Sequence, residues 1–340
     1  MKKRVLSAIV IAVLTVALMS GFAVAKDLEF SILVCNMSHP FFVDLIKGAE
    51  DAGAELGVKI VTFDAQDDPA QQFRQVEDAI ILGVDALILN PTDVDAMVPA
   101  VRQALNEGIP VFTVDRDVRQ VGQIAFIGTN NVEAAADGAE KMLELLEAAG
   151  KPKPWKVVIL DGTPGSSAAI ERGQGFSNVI DPLVEKGEVE VVARLAAHFD
   201  RSRGLTVMQD ILATADQVDA VIAANDEMVL GAITALKEAG IKVGYPEGVI
   251  TVGFDAIGDA FESIRRGELD ATVAQAPYLM GYWGVHAAYA KLNEDWTPPA
   301  SLPIYGPTGT THMGTVSLIV TSENVDEAQT LLLEPKPLPR

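Results

Sequence analysis

The 340-residue chain contains one cysteine, Cys35. A single thiol cannot close an intramolecular disulfide, and no Cys-x-x-Cys pair is present for a metal or redox site. Basic residues are few beside acidic ones: 26 Lys and Arg against 47 Asp and Glu, a net charge of −21. A surface this acidic repels phosphate backbones, which argues against a nucleic-acid partner. The four histidines (His39, His198, His286, His312) are scattered, so no metal-ligating or nucleophile–base cluster stands out. The glycine-rich turn Asp161-Gly162-Thr163-Pro164-Gly165-Ser166-Ser167 carries neither the G-x-G-x-x-G nor the Gly-Lys-Ser/Thr phosphate signature. Asp64, Asp67 and Asp68 lack the register and distal Glu of a calcium loop and read as a solvated turn. Neither a cofactor nor a metal is expected.

The apolar run from Val5 to Met19 is shorter than the ~20 residues of a spanning helix. Lys2, Lys3 and Arg4 precede it, and Ala23-Val24-Ala25 follows as a small-x-small site. Residues 1–25 therefore read as a secretory signal peptide, with the mature chain starting at Lys26 in the periplasm. Its removal makes the chain three units more acidic. No cysteine near the cleavage site marks a lipoprotein. What remains is too long for one ordinary core and fits two domains.

The stretch from Val84 to Arg116 organises the rest. It reads strand, helix, strand: an apolar run (86–89) ending at Asn90-Pro91, helical periodicity over 94–105, and a second apolar run (111–114) ending at Asp115-Arg116. Strands apolar on successive residues are those buried on both faces of a parallel sheet. The pattern recurs from Val218: a strand ends at Asn225-Asp226, a helix follows, and the next strand ends at Phe254-Asp255. Asn90 thus answers Asn225, and Asp115 answers Asp255. Ligands of open α/β sheets bind at the carboxyl ends of strands. A chain that builds this unit twice predicts two similar lobes with facing strand ends.

Other residues fall at the same edges. The first strand (28–35) leads into Asn36 and His39, and Pro40 opens a helix bearing Phe41 and Phe42. Thr129 ends the strand at 124–128, where the chain first crosses between lobes. Arg172 lies one turn into a helix, Phe199 sits in an otherwise polar loop, and Gln275 precedes a second crossing at Pro277. A third crossing is expected near 306–313. The segment 296–314 reads as a loop, followed by a last strand at 315–320. The expected lobes are 26–129 with 277–309, and 130–276 with 310–333, leaving 334–340 as a flexible tail. Carboxylates, guanidiniums and amides match vicinal hydroxyls, and aromatic rings pack against the C–H faces of a sugar. Such a lining suits a neutral polyhydroxylated ligand, because an anion would face two carboxylates at a cost.

Eight motifs, in order, carry a family resemblance: His39-Pro-Phe-Phe-Val43, Leu89-Asn-Pro-Thr-Asp93, Val114-Asp-Arg116, Ser167-Ala-Ala-Ile-Glu-Arg-Gly-Gln-Gly-Phe176, Phe199-Asp-Arg201, Ala224-Asn-Asp-Glu-Met228, Val252-Gly-Phe-Asp255 and Ala274-Gln275. Together they resemble the periplasmic sugar-binding proteins of ABC transporters, nearest the ribose-binding group, over about residues 28–290. The resemblance implies the type I periplasmic binding fold: two doubly wound parallel-sheet α/β lobes joined by a three-crossing hinge. It implies a monomer that delivers a sugar to a membrane permease. It implies that Phe42 and Phe199 stack on the two faces of the sugar, with Phe41 and Phe254 beside them. Asn90, Asp115, Arg116, Arg172, Asn225, Asp255 and Gln275 would bond its hydroxyls. The chain departs from the family where Cys35 replaces Ser, His39 replaces Asn and Thr163 replaces a branched apolar residue. Ribose, another pentose, a hexose and an acyclic polyol all remain open as ligands. A chemoreceptor or sensor partner is compatible with transport. A sugar-modifying enzyme using Asp115 and Asp255 as a carboxylate pair is the rival class, without an accompanying nucleophile–base or metal motif. A transcriptional regulator would need a helix-turn-helix where the leader stands.

Overall fold

The computed structural model describes residues 27–332 and 337–338. The expected signal peptide and all but two residues of the expected tail lie outside these.

The first lobe is built from β1 (Glu29–Val34), α1 (Pro40–Leu56), β2 (Lys59–Asp64), α2 (Pro69–Leu82), β3 (Ala86–Leu89), α3 (Val98–Asn106), β4 (Val111–Val114) and β5 (Phe126–Gly128). The second holds α4 (Asn131–Ala148), β6 (Trp155–Asp161), α5 (Ser167–Glu185), β7 (Val189–Ala196), α6 (Arg201–Leu212), β8 (Ala220–Ala223), α7 (Asp226–Glu238), β9 (Ile250–Asp255), α8 (Gly258–Arg265) and β10 (Ala271–Ala274). The chain then returns through α9 (Pro277–Glu294) and β11 (His312–Gly314), and ends with β12 (Leu318–Thr321) and α10 (Val325–Leu331). The two six-stranded sheets have orders β11-β5-β4-β3-β1-β2 and β12-β10-β9-β8-β6-β7. Position for position, β3 answers β8 and β4 answers β9. All neighbours are parallel except β12, which runs antiparallel to β10. The central strands β3, β4, β8 and β10 are buried at every residue, as their unbroken apolar runs require.

Close helix contacts depend on glycine. A Cβ on Gly281 of α9 would stand 1.9 Å from the Leu45 carbonyl oxygen of α1, and one on Gly48 of α1 would stand 2.0 Å from that of Tyr278. These two glycines let α9 lie directly on α1, which joins it to the first lobe. Gly204 and Gly231 serve the α6–α7 contact of the second lobe in the same way.

Four expectations are corrected. The helix expected from 94 begins at Val98, because Asp93 Oδ1 accepts from the N–H groups of Asp95 and Ala96 and holds 93–96 as a turn. The segment 296–314 is not all loop: His312–Gly314 adds a parallel strand to β5 of the first sheet. The lobe boundary expected at 309/310 and the crossing expected near 306–313 therefore both move to between Gly314 and Leu318. Side chains anchor residues 305–312 to the first lobe. Thr308 Oγ1 donates to Asp117, Thr310 Oγ1 accepts from Gln123, and His312 stacks on Phe126 with centroids 5.2 Å apart.

Candidate ligand site between the lobes

The strand ends meet across the lobe boundary. Asp115 follows β4 at φ 60°, and Asp255 closes β9 at φ 112°. Neither residue is glycine, and both occupy backbone regions that L residues rarely adopt, a feature concentrated at functional sites. The loop carrying Phe199 shows the same strain, with φ 57° at His198 and 60° at Phe199.

Each aspartate is held from behind. Asn90, wholly buried, donates from Nδ2 to Asp115 Oδ2 at 3.0 Å and to the Val114 carbonyl, while its Oδ1 accepts from the Cys35 N–H. Gln275 Nε2 donates to Asp255 Oδ1 at 2.7 Å, and Arg172 Nη1 approaches the same oxygen at 3.2 Å. Arg172 is fixed further by bonds from Nε to Asn131 Oδ1 and from Nη1 to the Ala224 carbonyl, with its guanidinium 3.9 Å from the Phe254 ring centroid. Burial raises the Asp115 carboxyl above its ordinary range against the pull of Arg116 and Arg172. Burial likewise raises Asp255, opposed by Arg172 and reinforced by the Asp115 charge, to about 7.

Arg116 lies between the aromatic walls, 5.6 Å from the Phe42 centroid and 5.3 Å from that of Phe199. Its Nε is buried without a hydrogen-bond partner among the described residues, since Asp115 Oδ2 is 3.7 Å away. A ligand oxygen would satisfy that donor. Phe199 backs onto Gly162, where a Cβ would stand 2.1 Å from its ring. The cavity so enclosed is about 30 Å³, room for one or two waters.

Of the residues expected at the site, His39, Phe41, Phe42, Asp115, Arg116, Arg172, Phe199, Asn225 and Asp255 line this cavity. Asn90 and Phe254 stand one layer behind it, supporting Asp115 and Arg172. Asn225 is both lining and structural, capping α7 through its Oδ1 and donating to the Phe199 carbonyl. Gln275 reaches Asp255 from outside this cavity. Asn36 instead shapes its own loop, donating to Asp67 and accepting from Ser38. Thr129 is buried at the first crossing, away from the cavity wall. Burial, then Arg116, push the His39 imidazole below its ordinary range.

Pro40, Ala168, Glu227 and Ile257 line the cavity and were not foreseen. Glu227 is the consequential one. It meets Arg201 in a two-point contact, at 2.6 Å from Nε and 3.1 Å from Nη2. Its signal was its place two residues beyond the Asn225 cap, in the first turn of a helix that points its N-terminus at the cleft.

The chain matches the periplasmic binding protein domain family over residues 30–295. It belongs to the periplasmic binding proteins. The ribose import binding protein of Bacillus subtilis (strain 168) is 39% identical over 263 residues, which is 77% of this chain and 81% of that protein. The Escherichia coli (strain K12) ribose import binding protein is 38% identical over 288 residues, 85% of this chain and 92% of that protein. Among solved structures, an ABC transporter solute-binding protein from Bacillus halodurans with bound myo-inositol superposes with a TM-score of 0.77 at 29% identity. That superposition covers 91% of this chain and 99% of the other. The family and the paired sheets place this periplasmic binding protein in the type I architecture. Among the described residues, no helix is long and apolar enough to cross a membrane.

Proposed function

We propose that this periplasmic binding protein captures a neutral monosaccharide or cyclic polyol between its lobes and hands it to the membrane permease of an ABC transporter. One observation carries the reading. Asp115 and Asp255, from equivalent strand ends of the two lobes, face one cavity, each beside an arginine and an aromatic ring. Only a ligand bound between the lobes touches both, so binding favours closure. The carboxylates accept from ligand hydroxyls, Arg116 and Arg172 donate to ligand oxygens, and Phe42 and Phe199 cover the ring faces. The relatives' names and the bound myo-inositol of the Bacillus halodurans structure support this ligand class.

The same reading takes the chain to be an exported monomer whose first 25 residues are a cleaved signal peptide. A sensor that reads the closed form is an additional partner it accommodates.

Calorimetric titration of the mature protein with D-ribose, D-allose and myo-inositol tests the reading. Saturable binding of at least one, lost at least a hundredfold in Asp115→Ala, is expected. Unchanged affinity in that variant would remove Asp115 from the site, and turnover of a bound sugar would favour the enzymatic alternative.

A further inference from the structure

A second cavity, about 210 Å³, adjoins the first through Phe41, Asp255 and Ile257, which line both. It lies at the second crossing, among the N-termini of α1, α8 and α9, and is the larger of the two. Its polar side chains are two carboxylates, the amides of Gln275 and Gln329, and the Tyr278 phenol. Asp44 and Asp255 contribute the carboxylates, and among the described residues no Lys, Arg or His lines it. Gln275 is 1% exposed; its Nε2 is committed to Asp255, while its Oε1 is buried with no hydrogen-bond partner among the described residues. A buried acceptor left unsatisfied costs stability, which a donor on a ligand would restore. Phe41, Phe261, Pro277 and Leu332 supply apolar walls. At the rim, Asp255 and Ala256 both hold positive φ, so the chain is bent around this opening.

We propose that the ligand of this protein carries, beyond its sugar or polyol ring, a hydrogen-bond-donating and non-anionic arm, hydroxyl or ammonium, that enters the side cavity lined by Phe41, Asp44, Asp255, Phe261, Gln275 and Tyr278. This rests on the ring occupying the cleft as proposed above. With the ring against Asp115 and Asp255, an arm directed past Asp255 enters the cavity that Gln275 and Asp44 also line. A carboxylate or phosphate on that arm would face two carboxylates and, among the described residues, no cationic side chain, so the cavity selects against anionic substituents.

The test is calorimetric titration of the mature protein, first with D-ribose, D-allose and myo-inositol, then with the 2-aminoethyl, 2-hydroxyethyl and carboxymethyl ethers or glycosides of whichever binds, attached at each position in turn. At one position the aminoethyl and hydroxyethyl forms should match or exceed the parent, with the carboxymethyl form at least a hundredfold weaker. Asp44→Asn should cut the aminoethyl preference about tenfold and leave the parent unchanged. Gly258→Phe, at a position where a Cβ meets nothing within 4 Å, should block the substituted forms and spare the parent. If the parent binds while every substituted form is a hundredfold weaker, or if carboxymethyl binds as well as aminoethyl, the side-cavity assignment falls and the sugar reading stands. If no parent binds, both fall.

Discussion

Asp115 and Asp255 are the same residue of the same motif, built twice. Each ends the strand in the third position of its sheet, each has positive φ, and each is steadied by an amide, Asn90 in one lobe and Gln275 in the other. The amides come from different places: Asn90 from the neighbouring strand end, Gln275 from the hinge crossing. The second lobe's carboxylate is thus tied to the hinge and the first lobe's is not.

The hinge carries a buried acid with its own pH signature. Glu171 Oε2 accepts from Tyr305 Oη at 2.6 Å and from Asn131 Nδ2 at 3.0 Å, and Asn131 in turn positions Arg172. Burial raises the Glu171 carboxyl from its ordinary 4.5 to about 7. The folded state therefore holds this proton more tightly than the unfolded one. That contribution to stability is complete below about 4.5 and is lost as pH rises through about 7. Glu171→Gln keeps the acceptor and removes the titration. Its melting temperature relative to wild type should rise between pH 5 and pH 8, by the equivalent of about 2 kcal/mol. A pH-independent difference would contradict the assignment. Asp255 titrates in both proteins and cancels in the comparison.

Tyr305→Phe deletes the hydroxyl that donates to Glu171 and accepts from the Asn131 N–H at 3.3 Å. A loss of about 1–2 kcal/mol is expected, read from urea midpoints, and it should be larger at pH 8, where the carboxylate is charged. A neutral effect at pH 8 would mean that this strap does not hold the hinge.

The α1–α9 contact admits no side chain at its crossing. Gly281→Ala would press a methyl group into the Leu45 carbonyl, and a destabilisation of about 1–3 kcal/mol is expected, with sugar affinity retained in the folded fraction. A melting temperature equal to wild type would show that the helices separate freely.

Gly162→Ala acts on the site instead. The new Cβ would overlap the Phe199 ring and force it toward Arg116. Affinity should fall at least tenfold, with a small change in melting temperature. The opposite split, stability lost and affinity kept, would make Phe199 a core residue only.

Much of this was legible before the structure. The doubled strand–helix–strand unit, with Asn90 and Asp115 echoed by Asn225 and Asp255, already specifies paired sheets and a cleft, because buried parallel strands leave continuous apolar runs. Strand β11 left no such trace: three residues carry no periodicity, and their partner strand β5 lies 186 residues earlier, His312 pairing with Phe126. The depth of each site residue was also invisible. Asn90 and Phe254 sit behind the wall, because only three-dimensional packing distinguishes a residue that touches ligand from one that aims it. Glu227 was passed over because an acidic residue in the first turn of a helix is ordinary N-terminal chemistry.

The most direct test of the central claim is a calorimetric titration of wild type, Asp115→Ala and Asp255→Ala with the sugar that gives the largest rise in wild-type melting temperature. Equivalent strand-end carboxylates gripping one ligand predict saturable one-to-one binding, with a loss of at least a hundredfold in each variant. If either variant binds within threefold of wild type while remaining folded, the ligand is not held between these two residues and the account is contradicted.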